Sequence, residues 1–325
     1  MTPPPTPARR PLRASFLIPL LVLLAAAAGG VLLGATTSFD HEILVLRLRR
    51  VVLGAIVGAG LATTGAVLQA MSGNPLADPF VLGASSGAAV GYIVARGLGL
   101  EASSPFVYLF SIAGAYVAIL FVLWLARTGT RMPVQTLLLA GITVSTLGTA
   151  CILVYYSLTD PGSAARAMNF LMGSLDEPDW RLIAIGGAVI VAAVSAALLC
   201  ARPLNAFAMG EATARHLGVP VEKMKLVFCV VSAGIVGVIV ALSGLIGFVG
   251  LVIPNLARLA TGSDHRRLLP WCALGGGAFV IVCDVLARTV IAPRLLTVGA
   301  VTAICGGPYF LVLLKRRGQA AARRE

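Results

Sequence analysis

Residues 202–223 read RPLNAFAMGEATARHLGVPVEK, and this stretch decides the reading of the chain. It is the longest polar stretch on the expected inner side of the membrane, and apolar runs flank it at 181–201 and 225–247. Ala206 to Leu217 favours helix, Gly210 interrupts it, Gly218 stops it and Pro220 follows two residues later. The expectation is two short helices lying at a membrane face. Glu211, Arg215, Glu222 and Lys223 alternate there with Ala208, Ala212, Ala214 and Leu217. Such a pair serves either as an interfacial anchor or as a knob that docks into a partner's cleft.

Composition explains why the flanks read as spans. The chain has 325 residues, of which 58% are hydrophobic and 12% charged, with mean hydropathy +0.94. Soluble chains carry about a quarter charged residues. A cytosolic enzyme, a disordered chain and a nucleic-acid binder are therefore excluded. The net charge of +12 sits at the termini and in short loops, with no aromatic-interleaved basic face to dock bases.

A spanning helix needs about 20 apolar residues. Ten spans are expected, at 15–37, 48–71, 80–97, 106–126, 134–157, 181–201, 225–247, 249–261, 270–291 and 298–314. The eighth is short and holds Pro254, which predicts a broken or half-depth helix. With the N-terminus inside, 17 of the 25 cations lie on the inner side. Asp40, Glu42, Glu101, Asp160, Asp176, Glu177 and Asp179 collect outside. Both termini are thus expected inside, with the RLRR run at 47–50 as an exception on the outer side. Gly54 and Gly58, continued by Ala62 and Ala66, and Gly83, Gly87 and Gly91 repeat at four-residue spacing, a pattern for close helix packing. Six cysteines, all in apolar runs and none in a CxxC, read as small core residues. Residues 1–14 are expected to be a disordered cytoplasmic N-terminus and 318–325 a cytoplasmic tail.

Several residues are candidates for function. Asp284 and Arg288 stand four apart in the ninth span; the acid-before-base order favours a structural ion pair, while membrane depth leaves a proton or ion site open. Gln69 either bonds a neighbouring helix or lines a polar path. Asn74, before Pro75, is a turn residue. Arg166, in the outer loop, is either a solvated loop arginine or a cation that would bind carboxylates. Met168, Asn169 and Met172 would add soft contacts. His41, His216 and His265 are expected in loops, His216 and His265 at a surface or an interface, without metal-ligand spacing. No nucleophile–base constellation and no ATP-binding loop is readable, so the energy must come from an ion gradient or another chain.

The segment LNAFAMGEATARHLGV at 204–219 resembles the cytoplasmic coupling segment of permease subunits of iron-chelate, haem and cobalamin ABC importers. GAVLQAMSGNPLADPFVLGASSGAAVG at 65–91, LLLAGI at 137–142 and FLMGSL at 170–175 resemble further blocks of the same family. So do GFVGLVIPNLARLATGSDHRRLLP at 247–270 and DVLARTVIAP at 284–293, followed by VGAVTAICGGPYFLVLL at 298–314. The resemblance covers about 40–317 in colinear order. It implies an all-α, ten-helix type II importer permease, with 15–317 as one transmembrane domain in a bacterial inner membrane. It further implies a homodimer, two cytoplasmic ATPase subunits that use the ATP, a periplasmic substrate-binding protein, and no permanently bound cofactor. Glu211, Ala212, Arg215, His216, Leu217 and Gly218 would then meet the ATPase. Arg49 replaces the family's proline in RLPR. Leu295 and Thr297 replace the acid and proline of ELPVG, which alters the outer dock, and Arg294 adds a positive charge there.

The function expected is import of a bulky iron chelate, haem or cobalamin by alternating access, with haem favoured on Arg166 and the methionines. The alternative is an ion-coupled secondary transporter built on Asp284.

Overall fold

The computed structural model describes residues 12–34, 40–101, 104–127, 129, 131–160, 162, 168, 171–175, 179–292 and 295–322. Among these the fold is all-helical. Its helices are α1 (Leu12–Leu32), α2 (His41–Ser72), α3 (Ala84–Gly97), α4 (Pro105–Ala126), α5 (Val134–Leu158) and α6 (Trp180–Leu199). Then come α7 (Ala201–Ala208), α8 (Glu211–His216), α9 (Val221–Ser243), α10 (Val249–Thr261), α11 (His265–Thr289) and α12 (Val298–Ala322). Six of them (α2, α4, α5, α6, α9 and α11) are long and apolar enough to cross a membrane by length and composition; α10 and the apolar parts of α1 and α12 are shorter.

α2 is the axis of the bundle, packed against α11, α10, α9 and α6. Lipid supplies no hydrophobic drive between helices, so small residues must bring backbones together. They do so where α2 crosses α11: a Cβ on Gly58 would overlap the Gly276 carbonyl, and one on Gly276 would overlap that of Gly58. α3 meets α4 in the same way, with Gly87 against Gly114 and Gly91 against the Phe110 carbonyl.

Two span expectations are corrected. The second span begins at His41, not 48, so RLRR is helical. At about 1.5 Å per residue its 32 residues exceed the roughly 30 Å hydrocarbon core, which leaves its first turns to carry arginines. The third span is not continuous over 80–97. The Asp78 side chain accepts the Phe80 N–H at 2.8 Å, Pro79 opens a 3-10 turn over Pro79–Leu82, and only the 14 residues of α3 follow Gly83. α12 runs on as helix as far as Ala322.

α10 is a short helix of 13 residues, preceded by non-helical backbone at 244–248. Ser174 N–H donates to the Ser243 carbonyl at 2.9 Å, and Gly299 N–H to that of Gly173 at 3.3 Å. The 171–175 loop thereby ties the unwound end of α9 to the start of α12, as irregular backbone inside a bundle requires.

Of the six cysteines, Cys229, Cys272 and Cys283 are buried, whereas Cys151 and Cys305 are exposed. The core reading therefore holds for three of them; the exposed two sit on helix faces that the monomer leaves open. His265 is buried (1% exposed), not at a surface, and the three histidines lie at helix ends, not in loops.

Candidate functional site

The polar stretch at 202–223 folds as the two short helices its glycines predict. α7 buries Leu204, Ala206 and Phe207, with the Phe207 ring edge-on to Phe228 of α9 at 5.8 Å between centroids. Asn205 latches α7 to the α10–α11 turn. Its amide nitrogen donates to Asp264 Oδ1 at 2.8 Å, while its oxygen accepts the His265 backbone N–H at 2.8 Å and the ring Nδ1–H at 2.7 Å. Burial would raise the Asp264 carboxyl, but the Asn205 amide, the Arg266 N–H and the charges of Arg266 and Arg267 outweigh it and hold it below its usual range.

Gly210 (φ 102°) separates the helices and Gly218 (φ 79°) ends the second, positions where a side chain would be strained. α8 is seated by an ion cluster whose centre, Lys225, lies in the first turns of α9 and is 1% exposed. Its ammonium reaches Glu211 Oε1 at 2.6 Å, the Met132 carbonyl at 2.7 Å and Glu222 Oε1 at 3.8 Å. Glu222 also accepts the Met132 N–H at 3.0 Å and pairs with Arg215 at 2.8 Å; Arg215 reaches Glu211 at 3.5 Å. Charges buried here are affordable because each finds partners. The cluster joins α8, α9 and the α4–α5 connection.

Sequence reasoning counted Lys223 among the segment's charges, yet Lys223 is exposed and Lys225 does the joining. The signal available was a lysine one turn inside a span, where an unpaired cation is costly. What the cluster leaves outward mixes apolar and polar side chains, with Thr213, Arg215 and His216 exposed among them. Only Ala214 of α8 is buried; Ala212, His216, Leu217 (61% exposed) and Gly218 face away, beside Ala208 and Met209 (60%) from the end of α7.

At the opposite end of α2 and α11 a second polar cluster forms. Asp284 (1% exposed) meets Arg288 at 2.8 Å, as its spacing predicts, and also Arg50 at 3.2 Å. Arg288 donates onward to the Gly30 carbonyl at 3.2 Å. Arg47, 4% exposed, donates to the Val31 and Leu32 carbonyls at 3.1 and 3.3 Å, satisfying the end of α1. Arg49, standing where the resemblance expects proline, lies over the Trp180 ring at 5.7 Å. The arginine run at 47–50 is thus a set of internal ties.

The candidate path residues are scattered. Met168 and Met172 are 52% and 43% exposed, joined by a 2.9 Å backbone hydrogen bond. Arg166, Asn169 and Arg294 lie outside the described residues. Gln69 is buried between α2 and α10: its amide nitrogen donates to the Gly250 carbonyl at 3.1 Å and its oxygen accepts from Arg258. Asn74 forms the expected turn, its side chain accepting the Leu76 N–H at 3.0 Å. α5 adds a feature not anticipated. It is largely exposed along its length, and Thr143, Thr146, Thr149 and Ser157 on its open side spend their hydroxyls on its own carbonyls.

Comparison with known proteins accounts for this arrangement. A family model described as the FecCD transport family matches residues 15–316. The hemin transport system permease HmuU of Yersinia pestis is 39% identical over 319 residues, covering 93% of this chain and 95% of its own. The vitamin B12 import permease BtuC of Escherichia coli O6:H1 is also 39% identical, over 94% and 93% of the two chains. A solved inward-facing ABC transporter of metal-chelate type superposes with a TM-score of 0.86 at 27% identity, over 94% of this chain and 99% of that one. Nothing among these relatives supports an ion-coupled secondary transporter. The chain belongs to the FecCD transport family and is the membrane-spanning permease subunit of an ABC importer, a transport component and not an enzyme.

Proposed function

We propose that two copies of this permease form a path for a bulky iron chelate, haem or cobalamin across a bacterial inner membrane, with both termini on the cytoplasmic side. The observation that carries the proposal is the outward knob of Ala208, Met209, Ala212 and Leu217 over a fixed ion cluster. A short helix fixed on an ion cluster, with exposed apolar residues beside Arg215 and His216, is what a moving partner can push without deforming it. Two ATPase subunits grip the knobs, and a periplasmic binding protein delivers the substrate. The permease itself holds no permanent cofactor; the partners use the ATP. The open side of α5, largely exposed along its length, supports a role at the contact between the two copies.

Haem is the favoured cargo, on Arg166 as a partner for propionates and on Met168 and Met172 as soft contacts. The relatives named for hemin and for vitamin B12 are equally similar, so similarity does not choose between them. The test has two parts. Met209→Asp with Leu217→Asp should abolish co-purification of the adjacent ATPase while leaving the permease folded; retained co-purification overturns the docking role. Identifying the chelate bound by the partner periplasmic protein, followed by Arg166→Ala, tests the cargo. Uptake should fall with ATP hydrolysis intact, and unchanged uptake discards Arg166.

A further inference from the structure

The inner ends of α4 and α9 leave a groove of about 400 Å³ between them, and it is unlike the bundle's other crevices. Its walls are apolar: Leu120 and Trp124 from α4 and Leu226 from α9, exposed by 55%, 70% and 47%. Its mouth is cationic, with Arg127 just past the end of α4 and Lys223 in the first turn of α9. Among the described residues Arg127 spends one N–H, on the Gly129 carbonyl at 3.1 Å, and Lys223 makes no hydrogen bond or ion pair. The carboxylate in the lining, Glu222, is already taken by the Met132 N–H, Arg215 and Lys225, so it does not neutralise the mouth.

We propose that this groove holds an anionic phospholipid of the inner leaflet, its phosphate between Arg127 and Lys223 and its acyl chains along Leu120, Trp124 and Leu226. Three features select that occupant over others. The cations stand where two spans end, at headgroup height, with an exposed tryptophan one turn deeper at the depth such side chains prefer. Basic pockets between membrane helices on the inner side suit acidic headgroups. A groove with two cations and no free carboxylate favours a net negative lipid over a zwitterionic one, whose own ammonium would meet Arg127 or Lys223. The lipid would also rest against Glu222, the carboxylate that ties Arg215 of α8 to α9. Its occupancy therefore bears on how firmly the α8 knob is seated.

The experiment is native mass spectrometry of the detergent-purified permease titrated with phosphatidylglycerol or phosphatidylcholine. It needs no ATPase partner and stays informative whether or not the cargo assignment holds. Phosphatidylglycerol should be retained selectively, with affinity falling about fivefold in Arg127→Gln or Lys223→Gln, and roughly thirtyfold in the double variant. Both side chains are exposed, so folding should be preserved, and an unchanged melting temperature checks this. Millimolar inorganic phosphate should displace little lipid, because it lacks the chains that fill the walls. Equal retention of both lipids, full displacement by phosphate, or wild-type affinity in the double variant would each overturn the proposal. So would cysteine cross-linking at position 124 that joins two permease copies.

Discussion

Replacing Lys225 with methionine keeps the buried stem and removes only the ammonium. Three contacts vanish: Glu211 at 2.6 Å, the Met132 carbonyl at 2.7 Å and the longer approach to Glu222. Removing one partner of a fully buried pair costs about 3–5 kcal/mol. Here the surviving glutamates are 31% and 26% exposed, so water recovers part of their solvation. One charge-assisted hydrogen bond and one ammonium–carbonyl bond, at about 1.5–3 kcal/mol each before that recovery, bring the loss to about 3 kcal/mol. The loss is local, because α7 keeps its own latch through Asn205 and Phe207. α8 should therefore open about a hundredfold more often, which hydrogen exchange at its amides reads directly. Exchange in α2 and α11 should be unchanged. Stimulated ATP hydrolysis in the assembled transporter should persist while transport per ATP falls, since the handle moves without the helices. Wild-type exchange in α8 would refute the argument that Lys225 seats the knob, and a Lys225→Met/Glu211→Gln double variant would locate the failure.

Other outcomes follow from the remaining geometry. Asp284→Asn leaves Arg50 and Arg288 facing each other without their anion, a change of about 3–5 kcal/mol; the melting temperature and folded yield should both drop, and a normal yield with lost transport would restore an ion-site role for Asp284. Gly58→Val places a branched side chain against the Gly276 backbone, which has no flexible end to give way; folded protein should be scarce, and normal yield would show that α2 and α11 can separate. Asp264, held below its usual range chiefly by Asn205 and the Arg266 N–H against the opposing effect of burial, contributes stability that is complete above about pH 4 and lost as pH falls through its lowered value. Thermal stability should therefore fall more steeply as pH drops below 4 in the wild type than in Asp264→Asn, and parallel curves would remove the latch from the acid response.

Apolar run lengths, loop charges and two glycines were enough to foresee an all-helical membrane bundle with a folded handle on one side. Those features act locally: a run either is or is not long enough to span, and Gly210 and Gly218 break a helix whatever surrounds them. The Asp284–Arg288 pair was legible for the same reason, because helical spacing alone brings the two side chains together. Arg50 joining that pair was not, since 234 residues separate it from Asp284 and only the crossing of α2 over α11 makes them neighbours. RLRR looked misplaced as loop charge, and tertiary packing turned three of its members inward. Lys225 looked like one cation among several in a basic segment; its partners at Met132 and Glu211 come from separate elements. Sequence decides how each helix is built and which residues it must hide, because those depend on neighbours within a turn or two. Which buried charges meet is decided by the bundle, because a charge withdrawn from water is stable only where another helix delivers its partner.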